Sequence, residues 1–404
     1  MARYPCGQFS CRFQGRHRVE LRFGFQTAGR IIFGRGTLVE AGVIAAHMGG
    51  KALVVTGSDG SRASSLLDAL SNNGVGYVTF QVRSEPTLDT ARRAVIEARD
   101  SGCDIVIGMG GGSALDLAKA AAMLKTNRGD PLDYIEIVGQ GLSIGMPSAP
   151  MIAIPTTSGT GSEVTGNAVL ISPDHGIKAS LRSPHMVPDV AIVDPELTVG
   201  LSPRVTAATG MDALTQLIEA FVSRKANPLT DSVCREGMGL VARSLKKAFD
   251  NGEDLDARQD LSLASLCGGM AIANAGLGAA HGIAGVIGGM HRAPHGALCA
   301  RLLPAVMASN LKALRDRGLE SSVLDRYEQV SHILTGSPCG DADEGVAFVT
   351  DLVEQLAIPS LGIYGVSESE FSDIAQLAAL STSMQGNPLP LAPDEITGIL
   401  AVCL

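Results

Sequence analysis

The chain has 404 residues, 45% of them hydrophobic and 18% charged, with a formal net charge of −9. That length allows two domains with separate cores, and the composition excludes extended disorder. The acidic balance, an aromatic content of 4% and the absence of tryptophan argue against nucleic acid or a stacked sugar as the main partner.

In chain order, residues 1–22 are basic without an apolar h-region. They read as a flexible extension rather than a secretory signal, with a transit peptide as the other reading. From about residue 50, β-rich runs alternate with amphipathic stretches. "KALVVTG" (Lys51–Gly57) reads as a buried strand, "RASSLLDALSNNG" as a helix ending at Gly74, and "YVTFQV" as a strand. "TLDTARRAVIEARDSG" is a helix, "DIVIGMG" a second buried strand, and "MIAIPTT" (Met151–Thr157) a further one. This alternation predicts a parallel sheet with crossover helices. Pro173-Asp174-His175-Gly176, set between two β-like runs, is a hairpin signal. After about residue 205 the text turns to Ala, Leu, Met and Gly with helical periodicity. The expected organisation is an extension at 1–22, an α/β domain at 23–198 and an all-helical domain at 199–404.

Eight cysteines are scattered without a CxxC pair, several of them inside apolar segments. That is cytoplasmic usage rather than a disulfide framework. No uninterrupted apolar run approaches the ~18 residues that would indicate a transmembrane helix.

Two glycine-rich loops follow predicted strands. In "MGGGSALDLAKAAAML" a helix is expected from Ser113, and Gly111 and Gly112 would let a ligand approach the backbone. The helix N-terminus offers free N–H groups suited to a pyrophosphate; a tight strand-to-helix turn is the plainer reading. There is no GxGxxG after the first strand, where "GSDGSR" is at best a degenerate version. The second loop, "PTTSGTGSE", interleaves Thr156, Thr157, Ser158, Thr160 and Ser162 with two glycines. Two such loops at strand C-terminal ends together favour a nucleotide site, because ligands bind there in open α/β sheets.

In the helical part, Asp212 and Gln216 lie four residues apart and share a helix face. Three of the eight histidines, His281, His291 and His295, crowd into one stretch. With Asp212 they would furnish a carboxylate–imidazole site for Fe²⁺ or Zn²⁺. A histidine on an apolar helix that is simply satisfied in the core is the plainer reading.

Taken together, these residues resemble the iron-containing (group III) alcohol dehydrogenases. The likeness runs from about Phe23 to the end and rests on "GGGSALDLAK", "PTTSGTGSE", "PDVAIVDPEL", "ATGMDALTQLIEA", "PHG" and "GNPLPL". It implies a fold shared with dehydroquinate synthase: an α/β domain binding NAD or NADP, an all-α domain, and a cleft holding the nicotinamide above a divalent metal. It implies hydride transfer between the nicotinamide and a small alcohol, aldehyde or ketone whose oxygen the metal polarises. It also implies a homodimer.

Carried over by resemblance, Gly111, Gly112, Ser113 and Asp116 match the pyrophosphate loop and its helix. Thr156, Thr157 and Ser162 match the second nucleotide loop, and Lys178 and Leu197 match positions lining the cofactor. Asp212, His281 and His295 match three of the family's four metal ligands, including the fourteen-residue separation of the last two.

Three positions depart. Gln216 stands where the family usually has its second histidine ligand, and its carbonyl oxygen is a weaker donor than imidazole. Gly285 replaces a histidine that relays protons near the substrate, and His291 is the substitute proton donor to consider. Gly57 replaces an aspartate that binds the adenosine ribose. Losing that carboxylate admits NADP, with Arg62 nearby, while Ser58 or Asp59 can still serve NAD. The expected enzyme is a metal-dependent, NAD(P)-linked alcohol dehydrogenase. The alternatives are a metal-independent reductase resembling maleylacetate reductase, a non-redox lyase in the manner of dehydroquinate synthase, and a non-catalytic nucleotide-binding protein.

Overall fold

A computed structural model describes residues 22–135, 138–175, 177–319 and 322–404. The extension expected at 1–22, apart from Arg22, lies outside the described residues. The α/β part contains strands β1 (Arg30–Phe33), β2 (Lys51–Thr56), β3 (Gly76–Gln81), β4 (Ile105–Gly110), β5 (Met151–Pro155), β6 (Asn167–Ser172), β7 (Ile177–Arg182) and β8 (Val190–Val193). Between them lie helices α1 (Ala41–Met48), α2 (Ser64–Asn72), α3 (Leu88–Asp100), α4 (Gly112–Thr126) and the single turn α5 (Pro131–Tyr134).

Six strands form one sheet in the order β1-β8-β5-β4-β2-β3, with every neighbouring pair parallel. Strand alternation sends Leu53, Val55 and Val106 to the face covered by α3 and α4. Ala52, Val54, Ile105 and Ile107 face α1 and α2. Burial on both faces explains why these strands read as continuous apolar runs. Chain order reverses between β2 and β4, so a crevice opens at their C-terminal ends.

The hairpin expected around residues 173–176 is present: β6 and β7 pair antiparallel from Asn167↔Arg182 to Ser172↔Ile177. Helix α2 ends where the sequence suggests, with Gly74 at φ 74° just beyond it, a left-handed position that costs glycine little. α4 begins at Gly112, one residue before the expected start. Strand β1 and helix α1, in a stretch given no assignment from sequence, add an edge strand beside β8 and a covering helix.

The last strand of the sheet ends at Val193, and everything regular after Pro203 is helical. The helices are α6 (Pro203–Val222), α7 (Pro228–Asp250), α8 (Leu255–Ala275), α9 (Ala279–His291), α10 (His295–Asp316), α11 (Ser322–Thr335), α12 (Ala342–Gln355), α13 (Phe371–Ala379) and α14 (Pro393–Cys403). Ser202 caps α6 by accepting from the Val205 N–H, with Pro203 at the first helical position. α6 is buried almost all round and forms the centre of the helical core. α10 is long and apolar enough to cross a membrane by length and composition, but 67% of its apolar 18-residue stretch is buried inside the protein, and it serves as a core helix.

Candidate active site

Three helices bring the polar cluster together. α6 carries Asp212, Gln216 and Glu219, α9 carries His281, and α10 carries His295 and Cys299. The approach of α10 to α6 depends on Gly296. A Cβ there would stand 2.4 Å from the Ala208 carbonyl oxygen and 3.2 Å from the Asp212 Cβ. The "PHG" motif thus starts α10 with a histidine and lets that end press against α6.

Asp212 Oδ1 lies 3.4 Å from His281 Nε2 and 3.9 Å from His295 Nε2. His295 Nε2 is 3.5 Å from the Cys299 sulfur. One ligand atom from each of Asp212, His281, His295 and Cys299 falls within 4.8 Å of all the others. Asp212 is buried and its Oδ1 has no hydrogen-bond partner. A buried, unpartnered carboxylate oxygen is costly unless something else satisfies it. Carboxylate, imidazole and thiol are donors for a borderline divalent ion, so these residues fit a metal.

The electrostatics agree. Burial works against ionising Asp212, but contact with His281 and His295 outweighs it and holds the carboxyl below its ordinary value. Burial also opposes a charge on His281, yet Cys299, Glu219 and Asp212 raise it well above the usual histidine value. Cys299 is the chief cause of the rise at His295. Acidic groups surround these two imidazoles, and the cluster favours positive charge at its centre.

The start of α9 is clamped from outside. Glu219 accepts from the N–H groups of Gly278 (2.9 Å) and Ala280 (2.6 Å), and Asn387 accepts from Ala279 (3.2 Å). Glu219 Oε2 also meets His281 Nδ1 at 2.6 Å. The "GNPLPL" stretch belongs to this clamp, since a Cβ on Gly386 would collide with the Leu277 carbonyl at 2.0 Å.

Gln216, expected as a doubtful ligand, donates from its Nε2 to Asp212 Oδ2 at 3.2 Å. Its oxygen is turned toward Gly268, where an added Cβ would lie 2.9 Å from it. His291 is not brought into the cluster and instead pairs with Glu370 at 3.0 Å. Gly285, one turn after His281, is exposed, with open space where a side chain would point.

At the C-terminal ends of β2, β4 and β5, Gly57, Ser58, Asp59, Arg62, Gly110, Gly111 and Thr156 line one pocket. The two glycine-rich loops touch there. A Cβ on Gly111 would meet Thr157 at 3.3 Å, and one on Gly112 would meet Thr160 at 2.8 Å. Ser113 follows in the first turn of α4, half-buried. Asp116 turns out to be engaged within the protein: it accepts from the Ser162 hydroxyl (2.6 Å) and the Val169 N–H (2.9 Å). It also lies 3.2 Å from the buried Lys119. Asp116 and Ser162 therefore tie the two loops together. Leu197 offers its carbonyl to the Arg62 guanidinium, and Lys178 pairs with Glu85 at 2.7 Å, close to Gly288 of α9.

Comparison with known proteins places this geometry. The family model "Iron-containing alcohol dehydrogenase" matches residues 28–195, and "Fe-containing alcohol dehydrogenase family, C-terminal" matches residues 206–404. The chain belongs to the iron-containing alcohol dehydrogenase family. It is 39% identical to long-chain-alcohol dehydrogenase 1 of Geobacillus thermodenitrificans over 330 residues, 80% of each chain. Its fold superposes on a crystal structure of 1,3-propanediol oxidoreductase with a TM-score of 0.88 at 33% identity, covering 95% of this chain and 100% of the other. A sulfoacetaldehyde reductase from Bifidobacterium kashiwanohense, solved in complex with NAD+, matches with a TM-score of 0.83 at 28% identity, covering 95% of this chain and 99% of the other.

As a member of this family the chain is an alcohol dehydrogenase of the iron-containing type that uses NAD(P) and a divalent metal. Sequence reasoning missed Glu219 and Cys299 within the family site. Each had a signal: Glu219 lies seven residues after Asp212, and Cys299 four after His295, both spacings that return to the same helix face.

Proposed function

We propose that Asp212, His281 and His295 hold the divalent metal, and that the pocket at the ends of β2, β4 and β5 holds the adenosine and pyrophosphate of NAD(P). The observation that carries this reading is the buried, unpartnered Asp212 Oδ1 facing two imidazoles. When bound, the metal supplies Lewis acidity toward an alcohol or carbonyl oxygen and the nicotinamide supplies or accepts hydride. The chain's residues do the positioning. Glu219 orients His281, and Gly111, Gly112 and the N-terminal turn of α4 present free N–H groups to the pyrophosphate. Thr156 lines the ribose side, while Asp116 and Ser162 hold the two loops in register.

The boundary between the nucleotide-binding and metal-binding domains is proposed at 198/199, and the chain is proposed to act as a cytoplasmic homodimer. Free cysteines support the location: Cys103, Cys234, Cys267, Cys299, Cys339 and Cys403 are all unpaired. The substrate is proposed to be a small alcohol or its aldehyde, entering past Gly285, whose open surroundings leave room for a chain longer than ethanol's. Gln216 and Gly285 lend support to a second reading, a metal-independent reductase on the same fold. Asp212→Ala separates the two. Loss of both bound metal and nicotinamide-linked turnover supports the metal reading, and retained turnover supports the other.

A further inference from the structure

Cys299 is fully buried on α10, one turn after His295 and on the same face. A buried cysteine is usually a small hydrophobe, and Cys234 and Cys267 fit that description. Apolar burial pushes the Cys267 thiol up to about 12 and raises Cys234 as well. Cys299 has different neighbours: it faces two imidazoles and a carboxylate oxygen that has no partner.

The spacing of these atoms is informative. Donors held about 2.0–2.3 Å from one ion at near-tetrahedral angles lie roughly 3.3–3.8 Å from each other, and zinc so held can expand to a fifth, substrate ligand. Asp212 Oδ1 to His281 Nε2 is 3.4 Å and His295 Nε2 to Cys299 Sγ is 3.5 Å, both inside that range, and Asp212 Oδ1 to His295 Nε2 is 3.9 Å, just beyond it. Gln216 donates from its amide nitrogen to Asp212 Oδ2, while its Oε1 is buried on the Gly268 side without a partner; a carboxamide oxygen is a weaker donor than a thiolate.

We propose that Cys299 is the fourth ligand of the metal, and that its thiolate, standing in for the weak donor Gln216, widens this chain's preference for zinc over ferrous iron. The proposal rests on the reading of Asp212, His281 and His295 as ligands. Binding forms one metal–sulfur bond and releases the thiol proton to solvent, with no change of oxidation state. Thiolate is a softer donor than imidazole or carboxylate, and zinc already outranks ferrous iron at sites of this kind.

The test uses the full-length protein stripped of metal and loaded with one equivalent of Co²⁺. The wild type should bind cobalt and show a near-ultraviolet thiolate-to-cobalt charge-transfer band. Cys299→Ser and Cys299→Ala should still bind cobalt but lose the band, while Cys339→Ser, at the exposed cysteine, keeps it. In anaerobic competition between Zn²⁺ and Fe²⁺, the zinc preference of the wild type should fall about tenfold or more in Cys299→Ser. Cobalt bound by the wild type without the band would overturn Cys299 as a ligand and leave the three-residue metal reading intact. Failure of the wild type to bind cobalt at all would overturn both. A zinc preference unchanged in Cys299→Ser would overturn the selectivity claim even if the band were present.

Discussion

Glu219 Oε2 stands 2.6 Å from His281 Nδ1, and the same carboxylate accepts two backbone N–H groups at the start of α9. One buried side chain on α6 therefore fixes the ring of His281 and the helix end that carries it. With Nδ1–H given to Glu219, His281 presents Nε2 toward Asp212, the orientation a metal ligand needs. Glu219→Gln places an amide N–H against a backbone N–H or the imidazole. Metal affinity should fall by about 10–100-fold, measured by competition with a chromogenic chelator. Unchanged affinity would mean that His281 is oriented by something else.

Gly57 lines the proposed nucleotide pocket, at the position where the family resemblance implies a ribose-binding carboxylate, and an added Cβ there meets nothing within 4 Å. Gly57→Asp should therefore fold normally and repel a 2′-phosphate. The ratio of kcat/KM for NADPH to that for NADH should drop about tenfold, a cost of ~1.4 kcal/mol. A ratio that does not move would show that the 2′ position lies elsewhere in the pocket.

Glu163, the last residue of the second glycine-rich loop, is buried with its Oε2 unpartnered. Burial raises its carboxyl to about 7, with its own backbone N–H and then Lys119 offsetting only part of the rise. A carboxyl raised on folding gives stability that is fully present below the unfolded value and lost as pH climbs through the folded one. Relative to Glu163→Gln, the wild type should lose on the order of 3 kcal/mol between about pH 4.5 and pH 7. Parallel melting-temperature profiles for the two proteins would contradict this.

Gly285 sits inside α9 with open space around its missing side chain. Gly285→Ala costs no contact and removes the backbone freedom of the unfolded glycine. It should raise stability by about 0.5–1 kcal/mol in denaturant unfolding, with metal content unchanged. A destabilised variant would indicate that the position is constrained in a way its surroundings do not suggest.

Much of this was legible in the sequence, for identifiable reasons. The central strands declare themselves because helices cover both faces, so each is an apolar run ending in a loop. Residue type alone groups His291 with Asp212, His281 and His295, and the family resemblance singles out the last three; the structure brings those three together and sets His291 against Glu370. Cys299 shares a helix face with His295, but that spacing alone decides nothing, because a cysteine in an apolar helix looks the same whether it packs or binds. Glu219 shares a helix face with Asp212, but its role was not legible, because its partners, His281 and the first N–H groups of α9, are about sixty residues away and meet it only in the fold. Asp116 was legible as part of the first glycine-rich loop and its helix; that its oxygens accept from Ser162 and Val169 is something a motif cannot reveal.

The central claim is that a metal held by Asp212, His281 and His295 serves nicotinamide-linked alcohol oxidation. The direct measurement is NAD(P)+-coupled turnover of a primary alcohol by protein stripped with chelator, before and after stepwise return of Zn²⁺ or Fe²⁺. Activity should vanish on stripping and return fully at one ion per chain, while Asp212→Ala neither binds the ion nor recovers. A stripped wild-type protein that turns over at its original rate would contradict the account.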